Sequence, residues 1–347
     1  MLRAGRASPK IILRPVNTFI PHPLLRNPHA MTLASTFWMR RFPRLPDSRP
    51  RLFAVEPGSS IRGECHWQGE PRRHPTLVLV HGLEGSAQSG YMQGTAELAT
   101  AAGFNVVRLN QRNCGNTEHL TPTLYNSGMS GDYRAVLTEL IHIDRLPRIF
   151  FAGFSMGGNL VLKMAGELGD AAPVELAGVA AVAPALELSV CADAIDAPGN
   201  FLYRRHFVRK LMERFRRKAY LYPQRYTTRG LPPIGTIREF DEHVTAPYCG
   251  FRGAAHYYDV SSAMRTAGRI RVPTLIVAAQ DDPLVPFAPF RAPAIASNPA
   301  ITLVDQQHGG HCAFISAQDG EERFWVEGRI IQWLVASGEW LAKREKN

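Results

Sequence analysis

The chain reads as an α/β protein: a mostly parallel, twisted sheet with helices on both faces and a helical insertion before the last strands. Three observations predict this. Short, nearly continuous apolar runs alternate with segments of helical length and pattern. One run, Ile149-Phe150-Phe151-Ala152, leads straight into Gly153-Phe154-Ser155-Met156-Gly157, a strand, a sharp turn and a helix start. The alternation then stops over residues 187–267 and resumes at Pro273.

Residues 1–50 are rich in proline and arginine and carry apolar pieces such as Phe37-Trp38-Met39. They are expected to form an extended arm packed on the domain that follows. The basic start, Met1 to Arg6, precedes Lys10-Ile11-Ile12-Leu13-Arg14, which is too short and interrupted for a secretory h-region. Leu52 to Val55 and Ile61 to Trp67, around Pro57-Gly58-Ser59-Ser60, predict a hairpin. Thr76 to Val80 is the kind of strand buried on both faces of a parallel sheet. A helix over Met92 to Ala102, a strand over Asn105 to Leu109 and a helix near Tyr133 to Ile143 follow. The strand ending at Ser155, a helix over Asn159 to Leu168 and a strand over Val179 to Val182 complete the first half.

Residues 187–267 hold a basic helix, a Pro232-Pro233 turn and the polar stretch Arg238 to His243. They are expected to form a cap over the carboxyl edge of the sheet, inserted into a core made of residues 51–186 and 268–347. Strands at Pro273 to Ala278 and Ile301 to Val304 come next. A closing amphipathic helix should bury Phe324, Ile330, Ile331, Trp333 and Leu334.

No uncharged apolar stretch reaches the roughly 18 residues that a membrane-crossing helix needs. The five cysteines, Cys65, Cys114, Cys191, Cys249 and Cys312, are far apart and no pair has C-x-x-C spacing. Neither a disulfide framework nor a zinc site is expected, and reduced thiols fit a cytoplasmic protein. The net charge of +10 is concentrated in residues 204–218, which hold eight lysines and arginines against Glu213. Within that segment Phe201, Leu202, Phe207, Val208, Leu211, Met212 and Phe215 form a stripe at helical spacing, with the charges assigned to the other face. One reading is a cap helix with a solvated basic face; the other is peripheral contact with an anionic membrane. No nucleic-acid recognition motif accompanies the charge.

A serine hydroxyl needs a base to take its proton and a third group to orient that base. In a sheet of this kind the chain order is Ser, then an acid, then His, each just past a strand's carboxyl end. After Ser155, the first resumed strand runs into Gln280-Asp281-Asp282-Pro283, and the next is followed by His308-Gly309-Gly310-His311. Asp282 is preferred to Asp281 because it lies where the loop bends toward the serine. His311 is preferred to His308 because two glycines before it free the loop to carry the imidazole over the sheet edge. The oxyanion donors are expected to be the backbone N–H of Met156, at the helix N-terminus, and that of Leu83, in His81-Gly82-Leu83-Glu84-Gly85-Ser86. His81 is expected to shape that loop through hydrogen bonds, Asp281 to be solvated or to support the site from behind, and Cys312 to be a small packing residue. The pattern implies acyl chemistry on serine, for which no cofactor is expected.

The chain resembles the α/β-hydrolase superfamily, and within it the YheT-like group related to the eukaryotic ABHD1, ABHD2 and ABHD3 proteins. The resemblance spans most of the chain. It is carried by Asn27-Pro28-His29-Ala30-Met31-Thr32, His81 to Ser86, Gly153 to Asn159, Ile237-Arg238-Glu239-Phe240-Asp241, Asp281-Asp282-Pro283 and His308 to His311. It implies a serine esterase acting on carboxylic esters, in some members acylglycerols or phospholipids, without a metal. Relatives usually have Arg-Gly-Cys where this chain has Arg112-Asn113-Cys114, and often Leu-Gln where it has Ala30-Met31. An acyltransferase or ester synthase working through the same acyl-serine is the alternative, and a degenerate lipid-binding homologue is a further one.

Overall fold

A computed structural model describes residues 18–318 and 323–344. The basic start and the Lys10 to Arg14 run lie outside the described residues. The strands are β1 (Arg49–Glu56), β2 (Ser59–His66), β3 (Thr76–Val80), β4 (Asn105–Leu109), β5 (Ile149–Phe154), β6 (Leu176–Val182), β7 (Thr274–Ala279) and β8 (Ile301–Gln306). They form one eight-stranded sheet in the order β1-β2-β4-β3-β5-β6-β7-β8. The β1/β2 hairpin joins β4 antiparallel, and every pairing from β4 to β8 is parallel.

Alternation of side chains along buried strands makes two cores. Val78 and Val80 of β3 and Phe151 of β5 face one side, and Leu77, Leu79, Phe150 and Phe154 face the other. Helices α2 (Gly90–Ala101) and α12 (Trp325–Arg344) cover the second side, and α3 (Ser130–His142) and α4 (Met156–Leu168) the first. In α12, Ile330, Ile331 and Leu334 are buried, whereas Phe324 precedes the helix and pairs in a bridge with Ile315.

The arm is not wholly extended. Asn27 caps helix α1 (Pro28–Phe37) by accepting from the Ala30 N–H, with proline at the first helical position. That is a local start signal of the ordinary kind.

Between β6 and β7 the chain is helical: α5 (Leu188–Asp196), α6 (Phe201–Leu221), α7 (Ile237–Phe240), α8 (Ala246–Cys249), α9 (Ala254–Ser261) and α10 (Met264–Ala267). The polar stretch read at Arg238 to His243 contains a short helix with a complete capping box, Thr236 and Glu239, running into a π turn at Asp241–Thr245. In α6 the expected stripe is only partly the buried one. Val208, Leu211 and Phe215 are buried, but Phe201 and Leu202 face solvent, and Arg214 and Lys218 point inward. Lys218 donates to the Glu118 and Thr121 carbonyl oxygens, and Arg217 pairs with Glu118 at 2.8 Å. Three of the cations assigned to the solvated face are therefore partnered within the fold. A short helix α11 (Pro293–Ala296) links β7 to β8. Among the described residues no helix is long and apolar enough to cross a membrane.

Candidate active site

Ser155 sits at the sharp junction between β5 and α4. Its φ of +53° and ψ of −117° place a non-glycine residue in a sparsely populated region. The strain is held by sterics on either side. A Cβ on Gly157 would lie 2.4 Å from the Val80 and His81 carbonyl oxygens, and one on Gly153 would lie 2.2 Å from the Gly157 carbonyl oxygen. Helix α4 begins at Met156, three residues earlier than the sequence pattern suggests, because the chain turns entirely at Ser155. Behind the serine, Asn159 donates to the Ser127 and Ser261 carbonyls and accepts from the Ala263 N–H, pinning α4 to the chain leading back from the helical segment.

Two loops from the same sheet edge complete the constellation. His311 Nε2 lies 2.9 Å from Ser155 Oγ, and His311 Nδ1 lies 2.8 Å from Asp282 Oδ2. The other Asp282 oxygen accepts from the Leu284 and Val285 N–H groups at 2.8 and 3.0 Å. It is thus Asp282, not Asp281, that meets His311. Asp281 holds the loop instead, accepting from the Gly310 N–H at 3.0 Å while its second oxygen lies 3.1 Å from His308 Nδ1. Burial alone would lower the His311 pKa. The Asp282 carboxylate outweighs it and holds the imidazole well above its ordinary value. Cys312 Sγ lies 3.9 Å from His311 Nε2 and 3.6 Å from the Val182 carbonyl oxygen.

The loop after β3 packs directly on the serine: a Cβ on Gly82 would lie 3.2 Å from Ser155 Cβ. His81 is fully buried, which lowers its pKa to about 4, so the ring is neutral. Its Nε2 accepts from the Gln111 N–H at 3.1 Å, which leaves the proton on Nδ1 to be donated to the Gly82 carbonyl oxygen at 2.7 Å. The Gly85 N–H also donates to that oxygen, at 3.1 Å. Because a trans peptide places C=O and N–H on opposite sides, fixing the Gly82 carbonyl also fixes the direction of the Leu83 N–H. Met156, first residue of α4, has an N–H with no acceptor inside its helix. Leu83, Met156, Ser155 and His311 all line one cavity of about 110 Å³. Its walls are largely apolar and continue through Leu188, Ala192, Phe207 and Leu211 of α5 and α6.

Sequence reasoning missed Thr32. Its Oγ accepts from the His311 N–H at 2.9 Å and donates to the Pro28 carbonyl at 2.7 Å, so the arm helix reaches the histidine loop across 279 positions of chain. The Asn27-Pro28 helix start would have placed Thr32 on a helix, but nothing local points it at His311. It also missed the pairing of Glu84 with Arg214, 130 positions apart. Among the described residues no group of three or more His, Cys, Asp and Glu side chains is arranged to hold a metal ion.

Residues 77–322 match the sequence model of the Alpha/beta hydrolase family. The chain belongs to that family. Within it the chain is YheT-like: it is 30% identical over 322 residues to the Escherichia coli protein named "Putative esterase YheT", covering 91% of this chain and 93% of that one. It is 28% identical over 268 residues to the "Monoacylglycerol lipase" of Saccharomyces cerevisiae, covering 75% of this chain and 59% of the yeast protein. In fold it is similar to the Pyrococcus furiosus esterase Pf2001, with a TM-score of 0.55 at 16% identity over 84% of this chain and 92% of that one. It is a hydrolase whose relatives are of the esterase and lipase type, and small-molecule esters or lipids are the substrates such relatives imply.

Proposed function

We propose that this protein is a serine hydrolase of carboxylic esters that works through an acyl-Ser155 intermediate. The observation that carries the reading is the unbroken hydrogen-bond line Asp282–His311–Ser155, with 2.8 and 2.9 Å links, opening on an apolar cavity. His311 takes the Ser155 proton as the oxygen attacks the ester carbonyl, then gives it to the departing alcohol. Asp282 holds the Nδ1–H tautomer and stabilises the imidazolium. The carbonyl oxygen, now anionic, receives the Leu83 and Met156 N–H groups at the positive end of α4. Water then attacks the acyl-serine with His311 as base, releasing the acid.

The apolar lining favours an ester with a hydrocarbon acyl group, and the yeast relative's name makes acylglycerols the first substrates to try. Residues 187–267 act in this reading as a cap whose α5 and α6 form the acyl wall, inserted into a core of residues 51–186 and 268–347, with residues 1–50 as a supporting arm.

Ser155→Ala is expected to abolish turnover of a p-nitrophenyl ester, a loss of about 10⁴-fold or more, and labelling by a fluorophosphonate probe. Retention of either by the purified variant would remove Ser155 from the role. Product analysis with added alcohol reads whether water or an alcohol takes the acyl group.

A further inference from the structure

We infer that Glu84 and Arg214 are positioning residues that tie the geometry of the oxyanion loop to the seating of helix α6. The inference rests on the Ser155 ester-hydrolase reading and adds how its oxyanion donor is held. Glu84 follows Leu83 directly, and its φ of +57° puts a side-chain-bearing residue in the left-handed region. Such a conformation persists only when neighbours enforce it. Here the enforcement is one carboxylate held by three donors. Arg214 Nε reaches Oε1 at 2.9 Å, Arg214 Nη2 reaches Oε2 at 2.8 Å, and the Tyr125 hydroxyl donates to Oε1 at 2.5 Å.

Both partners are nearly sealed from water, with 4% of the Glu84 side chain and 8% of the Arg214 side chain exposed. Burial would favour a neutral Glu84. The Arg214 guanidinium overcomes this and keeps the carboxyl below its ordinary range. The remaining nitrogen of the guanidinium, Nη1, donates to the Asn113 carbonyl oxygen and lies 3.7 Å from Glu118. Arg214 also lines the substrate cavity.

A forked pair of this kind is favourable in one geometry only. If α6 shifts, the fork opens, Glu84 is left as a buried charge without compensation, and the Glu84 backbone relaxes from its left-handed conformation. The Gly85 N–H that follows it is then drawn off the Gly82 carbonyl, and with that peptide less firmly held the Leu83 N–H leaves the oxyanion position. An apolar contact between α6 and the loop would tolerate the same shift. The loop is therefore competent when α6 is seated over the cavity, the state in which an acyl group is enclosed.

The test separates positioning from stability. Glu84→Met/Arg214→Met removes both charges together, an exchange that buried ion pairs often tolerate without loss of stability. The double variant is expected to melt close to the wild type. Its kcat on a soluble p-nitrophenyl ester should fall about 10²-fold, the scale of one oxyanion donor, with KM nearly unchanged and fluorophosphonate labelling slowed in proportion. A wild-type kcat in the double variant, or a rise in KM alone, overturns the inference. Should the double variant not fold, Glu84→Gln serves, since it keeps the shape and removes the charge. A roughly 10-fold loss confined to kcat, the scale of one charged hydrogen bond, supports the inference, and an unchanged kcat overturns it. If the wild type itself is neither labelled nor dependent on Ser155, the ester-hydrolase reading fails. A Ser155-dependent wild type with a fully active double variant sinks only the positioning pair.

Discussion

The loop that carries Ser155 and the loop that carries His311 meet at one hydrogen bond of 2.9 Å, but they are held by different forces. The serine turn is enforced by backbone sterics within a few residues. Gly153 and Gly157 leave no room for a Cβ, and the Val80 and His81 carbonyls press on the turn from the adjacent strand. The histidine loop is enforced by polar side chains from elsewhere. Thr32 of the arm takes the His311 N–H, Asp281 takes the Gly310 N–H, and Asp282 takes the ring. A turn held by sterics fails by unfolding. A loop held by a few hydrogen bonds fails by losing aim while the fold survives.

The sharpest way to break this contrast is Asp282→Asn. The amide keeps the shape but cannot hold the required imidazole tautomer, so kcat should fall about 10⁴-fold, with little change in melting temperature. In the proposed mechanism His311 acts as a base and must be neutral to take the serine proton. Because Asp282 raises its pKa, kcat/KM in the wild type should decline as pH falls through a value above 6.5, the ordinary histidine pKa. In Asp282→Asn the largest influence raising that pKa is gone while burial still lowers it, so the acidic limb of the pH–rate profile should move to lower pH. A limb that stays in place would show that His311 is not the group titrating.

Gly157→Ala probes the other side. The added methyl meets two backbone carbonyls that cannot move without displacing β3, so the variant should lose about 3 kcal/mol of stability, at the upper end for overpacking. The measurement is the denaturation midpoint. A soluble variant of wild-type stability would mean that the turn is not sterically enforced.

The smallest effect is expected at Thr32. Thr32→Val removes the acceptor for the His311 N–H, worth about 1 kcal/mol, or a roughly five- to tenfold loss in kcat. Thr32→Ser keeps the hydroxyl and should restore most of the rate. Equal rates in both variants would detach the arm from the site.

Much of the core was legible because its signals are local. Thr76 to Val80 and Ile149 to Phe154 are buried on both faces, and their continuous apolar runs say so. The order Ser155, Asp282, His311 follows from where strands end. Helix α1 is also locally signalled, by Asn27 and Pro28, but the proline-rich stretch around it points to an extended arm. The inner face of α6 was not legible. Helical spacing groups Phe201 and Leu202 with Leu211, but those two residues precede the part of the helix that lies on the core. Arg214 and Lys218 turn inward because Glu84, Glu118 and the Thr121 carbonyl wait there.

The sequence by itself determined the parallel sheet, the strained serine turn and the order in which an acid and a histidine return to its edge. These depend on side-chain period and on glycine where backbone must approach backbone, both written in runs of a few residues. Only the tertiary structure decided that Thr32 braces the His311 loop and that Arg214 closes on Glu84. Each of those is a contact between segments tens to hundreds of residues apart. Its strength depends on burial and on an ångström-scale match of donor to acceptor, and no local pattern encodes either.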